Sequence, residues 1–364
     1  MRVVAIGVGG AGGRIVDALR RDDESRSASY LAGVRALDTD RAALSDLEAV
    51  PEEARHLFGQ VETGGNGTAG NRARAAAAVE ADLVETRRAV DPAVSSDAAA
   101  IVLVAGLGGG TGGVATPELA ESLREVYDRP VYAVSVLPAA HEEVPAENAA
   151  RGLQSLHGAV DAQLVFDNDA WLGSDESIAD AAAELNRTLA ERLGALFGAG
   201  EAATADSVGQ RVVDASEVIA TLEAGGLATI GYARQAVGDE GASDDDSLLG
   251  RVRGLVSSTE ESVDEVTAIK AVETTLRRAA NGRLTFDCPL DAATSGLLVV
   301  AGPPDWLNQS AISDGQNWLS EEMGSVQLRT GDDPVPGGDE LAVLVVLAGI
   351  RDAPRIDELR TTDV

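Results

Sequence analysis

Gly106-Leu107-Gly108-Gly109-Gly110-Thr111-Gly112-Gly113 follows the wholly apolar run Ala99–Ala105 and precedes a helical pattern over Pro117–Tyr127. A loop that serves close packing alone does not need six glycines in eight residues. At the carboxyl end of a buried strand, such a loop lets backbone amides approach an anion, and the next helix adds its positive N-terminal end. Thr111 supplies a hydroxyl donor to the same place.

Working outward, a second run of this kind lies at the start of the chain: Gly7-Val8-Gly9-Gly10-Ala11-Gly12-Gly13 follows the strand-like Arg2–Gly7 and leads into a helix over Ile15–Arg21. Gly7, Gly9 and Gly12 satisfy G-x-G-x-x-G, and Asp38 ends a second strand, Val34–Asp38, where a ribose-binding acid of a dinucleotide site would stand. Alone this run leaves the ligand open, and a structural turn remains an alternative. A dinucleotide enzyme has no use for two phosphate cradles, whereas a nucleoside triphosphate needs amide donors from more than one side. No lysine follows either run, and the only lysine is Lys270. The pattern is therefore not a Walker loop, and backbone amides and a metal ion must hold the phosphates. The side chains offer no metal cluster of their own, since His56, His141 and His157 are scattered.

Composition narrows the class. At 364 residues the chain suits two domains sharing an interface. Aromatic residues make up 3%, so packing relies on small aliphatic side chains and close backbone approach. The formal net charge of −31 excludes a nucleic-acid partner and docking on an anionic membrane. Acid-rich, lysine-poor composition suits a cytoplasm of very high salt, where screening silences self-repulsion. The single Cys288, in LTFDCPL, reads as a small buried hydrophobe in a reducing compartment. No signal peptide is expected, and the apolar runs fall well short of the roughly 20 residues of a bilayer span. The expected location is cytoplasmic, without membrane insertion.

Further helical patterns cover Ala69–Val90, Ala146–Val160, Ser177–Phe197, Asp214–Leu222 and a segment ending near Ala280. Strands are expected at Pro130–Leu137, Gln163–Phe166, Leu227–Tyr232, Leu284–Asp287, Gly296–Ala301 and Leu341–Ala348. Ser177–Phe197 is the longest, about 30 Å if regular, and ends on Gly198-Ala199-Gly200, so it reads as a spine between two units. Gly238–Ser247 is an acidic loop and Arg351–Val364 a short flexible tail. Asp214 reads as a helix N-cap with Glu217 three residues on, a capping box whose two carboxylates share one helix face. Asn186 sits in the middle of a helix, where asparagine is a poor former and needs a reason.

Taken together these stretches resemble the tubulin/FtsZ superfamily, and its archaeal CetZ branch most. GLGGGTGGVATPELA is similar to the signature loop, GVGGAGG to the first phosphate loop, and TGGNGTAGNR (Thr63–Arg72) to the γ-phosphate loop. VDAQLVFDNDAW (Val160–Trp171), the long helix, DCPL and VVAGPPDWLN complete a resemblance that covers nearly the whole chain. It implies an α/β fold: a GTP-binding domain over residues 1–172 with a largely parallel sheet, a central helix at 173–198, an α+β domain at 199–350 and the tail at 351–364. It assigns Gly9, Gly10, Ala11 and Gly12 to the α- and β-phosphates. Gly108, Gly109, Gly110, Thr111 and Gly112 would cradle them from the other side, and Gly65 and Asn66 would approach the γ-phosphate. Asn186 and Asn168 would read guanine, and Glu142 or Glu143 would hold the ribose. Mg²⁺ would be held mainly by the phosphates.

The resemblance also implies a shared catalytic site: Glu217, then Asp214, would serve the γ-phosphate of the next subunit in a head-to-tail filament, giving a slow, assembly-dependent GTPase. Adaptor proteins would be further partners, and cell shape the expected role. Two departures stand out: Val212, where the family often has Asn, implies slower hydrolysis, and Val114, where it keeps a glycine, a changed loop. Two rivals are an FtsZ-like division GTPase, disfavoured by the short tail, and an NAD-dependent oxidoreductase using the first glycine run alone.

Overall fold

A computed structural model describes residues 1–140, 142, 146–173, 175–202, 212–237, 265–324, 326–351 and 353–361. The expected acidic loop Gly238–Ser247 and Glu143 lie outside the described residues. The amino-terminal elements are β1 (Val3–Val8), α1 (Gly9–Ser25), β2 (Leu31–Asp38), α2 (Arg41–Ser45), β3 (Arg55–Leu57), α3 (Gln60–Thr63) and α4 (Arg72–Val90). Then come β4 (Ala100–Gly106), α5 (Thr111–Arg124), β5 (Val131–Leu137), α6 (Ala146–Leu156), β6 (Ala162–Asp167), α7 (Asn168–Trp171) and α8 (Ile178–Gly198). The remainder is α9 (Ala215–Leu222), β7 (Leu227–Ala236), α10 (Glu265–Asn281), β8 (Ser295–Gly302), α11 (Gln309–Glu322), β9 (Gln327–Pro334), β10 (Glu340–Ile350) and α12 (Pro354–Thr361).

The strands form one ten-stranded sheet in the order β3-β2-β1-β4-β5-β6-β7-β10-β8-β9. All neighbouring pairs are parallel except the two made by β10, so β10 alone runs against the rest. Both faces are covered, as parallel sheets require. Along β1, Val4, Ile6 and Val8 join the core beneath α4, α5 and α6, while Val3 and Ala5 join the core beneath α1 and α8. All six residues of β1 are buried, and each Val or Ile side chain contributes about 1.5–3 kcal/mol.

Several sequence boundaries move. α5 starts at Thr111, not near Pro117, and runs through the proline. Pro117 has no N–H for the Gly113 carbonyl, and Arg72 Nη1 lies 3.5 Å from that oxygen instead. Val114 therefore stands inside a helix, where a β-branched residue is tolerated, and not in the loop. Leu284–Asp287 forms no strand. It lies along β7, but the Thr285 and Thr229 hydroxyls accept from the backbone N–H of Ile230 and Phe286, replacing ladder carbonyls. The expected flexible tail contains α12, whose Ile356 and Leu359 are buried against the core that α6 also joins. Three short or polar segments, β3, β9 and α3, had no periodic signal to reveal them.

Candidate functional site

β1 and β4 are neighbours, and the connections from them leave in opposite directions across the sheet. Their carboxyl ends therefore border a topological switch point, the place where open α/β sheets bind ligands. Both glycine runs emerge there. α1 begins at Gly9 and α5 at Thr111, so most of the first run and the last three residues of the second form the first turn of a helix. Neither helix start has a side-chain cap or an acidic residue in its first turn. The first-turn N–H groups of both helices are left without side-chain acceptors, and both macrodipoles point their positive ends into one space.

The two turns interlock. Gly9 has φ +75°, and a Cβ there would lie 3.1 Å from the Gly112 nitrogen. Gly12 is pressed more tightly, since a Cβ would stand 2.1 Å from the Val104 carbonyl oxygen. Around them opens a cleft of about 490 Å³ at the carboxyl ends of β1, β4, β5 and β6. Gly9, Gly10, Ala11, Asn66, Gly108, Gly109, Gly110, Thr111, Gly112, Glu142, Asn168 and Asn186 all line it.

Gly12 and Gly65 do not line the cleft. Gly12 serves the contact between α1 and β4, and Gly65 is buried with its carbonyl accepting from Arg41 N at 2.9 Å. Sequence reasoning missed Arg14, Asp40, Thr68, Ala69, Gly70, Pro138, Ala182 and Leu185 in the lining. Thr68–Gly70 continue the segment already singled out around Asn66. Ala182 was findable from its position one helical turn before Asn186.

Polar groups in the cleft hold one another in place. The buried Thr111 hydroxyl lies 2.8 Å from that of Thr39 and 3.2 Å from that of Thr68, so three threonines meet under the second glycine run. Asn168 is buried, and its amide donates to Glu142 Oε1 at 2.9 Å. The same oxygen accepts from Ala139 N at 2.8 Å. Asn186 projects from the amino-terminal half of α8, half-buried, on the face shared with Ile178 and Ala182. Arg14 is the only basic side chain in the lining among the described residues. Asp38 accepts from its neighbours Thr39 N and Asp40 N, at 2.7 and 3.3 Å, and burial pushes its carboxyl up to about 6. It is engaged within its own turn, unlike the ribose ligand of a dinucleotide site.

Asp214 and Glu217 lie elsewhere. Asp214 caps α9 by accepting from Ser216 N and Glu217 N at 2.7 and 3.3 Å. Its hydrogen bond from the Ser216 hydroxyl, with those amides, holds its carboxyl below the usual range. Glu217 Oε2 stands 3.8 Å from the Arg329 guanidinium. This end of the molecule also holds the start of β1, where the Met1 ammonium bonds to the Phe197 carbonyl and pairs with Glu201. The cleft is at the other end of the parallel strands. From Asn186 to the end of α8 the helix climbs roughly 18 Å, so these carboxylates do not reach their own cleft.

Among the described residues no three His, Cys, Asp or Glu side chains gather as metal ligands, and no helix is long and apolar enough to cross a membrane.

Comparison with known proteins meets this geometry. Residues 2–175 match the tubulin/FtsZ family GTPase domain, and residues 175–364 match the C-terminal domain of tubulin-like CetZ. The tubulin-like protein CetZ5 of Haloferax volcanii is 40% identical over 365 residues, covering 100% of this chain and 92% of that protein. The GDP-bound monomer of CetZ1 from Haloferax volcanii superposes with a TM-score of 0.86 at 34% identity, covering 100% of this chain and 98% of that one. The GTPγS-bound protofilament of CetZ2 from the same organism gives 0.84 at 34% identity, with the same coverage. These full-length matches leave no room for the dinucleotide-oxidoreductase reading of the first glycine run. The chain belongs to the tubulin-like CetZ branch of the tubulin/FtsZ family.

Proposed function

We propose that this chain binds GTP in the cleft, assembles head to tail and hydrolyses the nucleotide at the contact between subunits. The observation that carries this reading is the pair of uncapped helix starts, at Gly9 and Thr111, locked together at Gly9 and Gly112. Two such starts suit a polyphosphate in a cleft with a single basic side chain. The backbone of Gly9–Ala11 and Gly108–Gly112 would hold the α- and β-phosphates, with Asn66 near the γ-phosphate. Asn168 and Asn186 would read the guanine, and Glu142 would hold the ribose. Mg²⁺, carried mainly by phosphate oxygens, would neutralise charge on the transferring group. Residues 1–172 would form the nucleotide-binding unit, 173–198 the spine and 199–350 the second unit.

The reaction needs a group to position water and accept its proton, and the carboxylates lining the cleft are already engaged: Asp38 and Asp40 accept from the amides of their own turns, and Glu142 accepts from Asn168 and Ala139. Glu217 of the next subunit would do so, with Asp214 beside it. Water oxygen bonds to the γ-phosphorus, the bond to the β-phosphate oxygen breaks, and GDP and phosphate form. The two ends of one molecule differ, so the contact is heterologous and does not close on itself, which gives a filament. Support for assembly comes from the relative seen as a GTPγS-bound protofilament. The cellular role that fits is organisation of cell shape.

A mixing experiment tests the shared site. One variant carries Glu217→Ala with an intact cleft, and the other carries Gly110→Val, whose side chain would meet Thr68 Oγ1, already 2.4 Å from a Cβ, with Glu217 intact. Each alone should be nearly inactive, and the mixture should recover GTP turnover. Inactivity of the mixture, when both variants fold, would refute catalysis between subunits. Pelleting with GTP but not GDP is the matching assay of assembly.

A further inference from the structure

The base end of the cleft is built from two loops, one after β5 and one after β6. Pro138 and Glu142 come from the first, Asn168 from the second. In the cleft, Asn168 donates to Glu142, and beside it Ala140 N donates to Asp169 Oδ1 at 2.7 Å. On the side away from the cleft, both loops meet one residue of α12. Arg355 Nη2 donates to the Pro138 carbonyl at 3.0 Å, and its Nε lies 3.2 Å from Asp167 Oδ2. Asp167 is buried, and its other oxygen accepts from Asp169 N at 3.2 Å, capping α7, the short helix that begins with Asn168.

We propose that Arg355 is a positioning residue for guanine recognition: its fork ties the β5 and β6 loops together and sets the spacing of Glu142 and Asn168 across the base end of the cleft. This rests on the guanine-nucleotide reading given above. Three features support it. The Arg355 side chain is 15% exposed and the Asp167 carboxylate 6%, so solvent screens the pair little. Burial raises the Asp167 carboxyl and Arg355 offsets part of that rise, leaving it at about 6, so the arginine helps keep this cap ionised at neutral pH. A guanidinium can serve a carboxylate and a carbonyl at once through its planar fork, whereas an ammonium is a point charge. Ile356 and Leu359, both buried, hold α12 in place for this contact. Residues near the carboxyl end of the chain thereby shape a site formed by the amino-terminal half.

The test compares Arg355→Ala, Arg355→Lys and Leu359→Ala with the wild type in the full chain. Competition binding is measured with GTP, ATP and inorganic pyrophosphate, which probes the phosphate cradle alone. Arg355→Ala should reduce the preference for GTP over ATP by about tenfold, the equivalent of roughly 1.4 kcal/mol, and leave pyrophosphate affinity unchanged. Arg355→Lys should fall between it and the wild type. Leu359→Ala weakens docking of the same helix without touching the fork and should retain the preference. Equal loss of GTP, ATP and pyrophosphate affinity in Arg355→Ala would mean general damage to the fold and overturn the proposal. So would equal loss of preference in Leu359→Ala. Should Arg355→Ala fail to fold, an unchanged preference in Arg355→Lys overturns it, and a reduced one supports it. A wild type that binds pyrophosphate without preferring GTP overturns the guanine reading, and this inference with it. A wild type that prefers GTP, beside an Arg355→Ala that prefers it equally, overturns the inference alone.

Discussion

The two ends of the parallel strands are built on opposite principles. At the cleft, α1 and α5 start without side-chain caps, and glycines press backbone against backbone. At the far end, α9 starts with a carboxylate cap, and Asp214 and Glu217 stand at the surface beside Arg329. One end offers helix amides, with its carboxylates Asp38, Asp40 and Glu142 engaged by neighbouring groups, and the other offers carboxylates and no cradle. The difference teaches that the two features the proposed reaction needs stand about one helix length apart in a single subunit. On that reading a second copy would bring them together.

The largest break in that comparison is steric. Gly12→Val places a branched side chain where even a Cβ lies 2.1 Å from the Val104 oxygen. It should destabilise the fold by on the order of 3 kcal/mol and separate the two glycine turns. Denaturant titration and nucleotide binding should both register it, whereas native-like stability with normal binding would show that the interlock is dispensable. At the far end, Glu217→Ala should slow GTP turnover by about 100-fold or more with binding intact. If binding falls as far as turnover, Glu217 has been given the wrong role.

Asp38 sharpens the comparison at the cleft, where a buried carboxyl pushed up to about 6 binds protons more tightly folded than unfolded. Its contribution favours the fold at low pH and is lost as pH rises from the ordinary carboxylate value through about 6. Above that window the ionised form opposes folding by on the order of 2–3 kcal/mol. Asp38→Asn keeps the acceptor for Thr39 N, so it should raise nucleotide-free stability at pH 8 and flatten this part of the pH profile. An unchanged profile would place the charge in solvent.

The smallest effect concerns the connection between the ends. Trp171, on α7 beside Asn168, stacks on Phe166 at 5.5 Å and has Arg192 of α8 over its ring at 4.4 Å. Its indole N–H donates to the Leu284 carbonyl at 3.1 Å. Trp171→Phe removes that bond and should cost about 1 kcal/mol, readable in thermal or denaturant unfolding. No measurable change would mean the ring contact alone makes the join.

Much of the site was legible from residue types. Gly9–Ala11, Gly108–Gly112 and Asn168 line the cleft because they follow the ends of β1, β4 and β6, and Asn66 joins them from the loop between α3 and α4. Asn186 was flagged by being a poor helix former in a long helix, and it does face the cleft. Gly12 and Gly65 do not line the cleft, because a glycine needed for close backbone packing, as at Gly12, or for a positive φ, as at Gly65, looks in sequence like one needed for phosphate approach. α12 was misread because eight polar-rich residues carry too little periodicity to show that Ile356 and Leu359 find a core.

The sequence by itself determined the apolar strands of the sheet, the long helix and both glycine turns, since each follows from local patterning over a few residues. The tertiary structure alone decided that β1 and β4 lie side by side, that Asp214 and Glu217 stand at the opposite end from the glycines, and that Arg355 reaches the loops beside Asn168. Those are contacts between residues tens to hundreds of positions apart. They depend on how strands order themselves to bury two faces of one sheet, and no local spacing encodes that order.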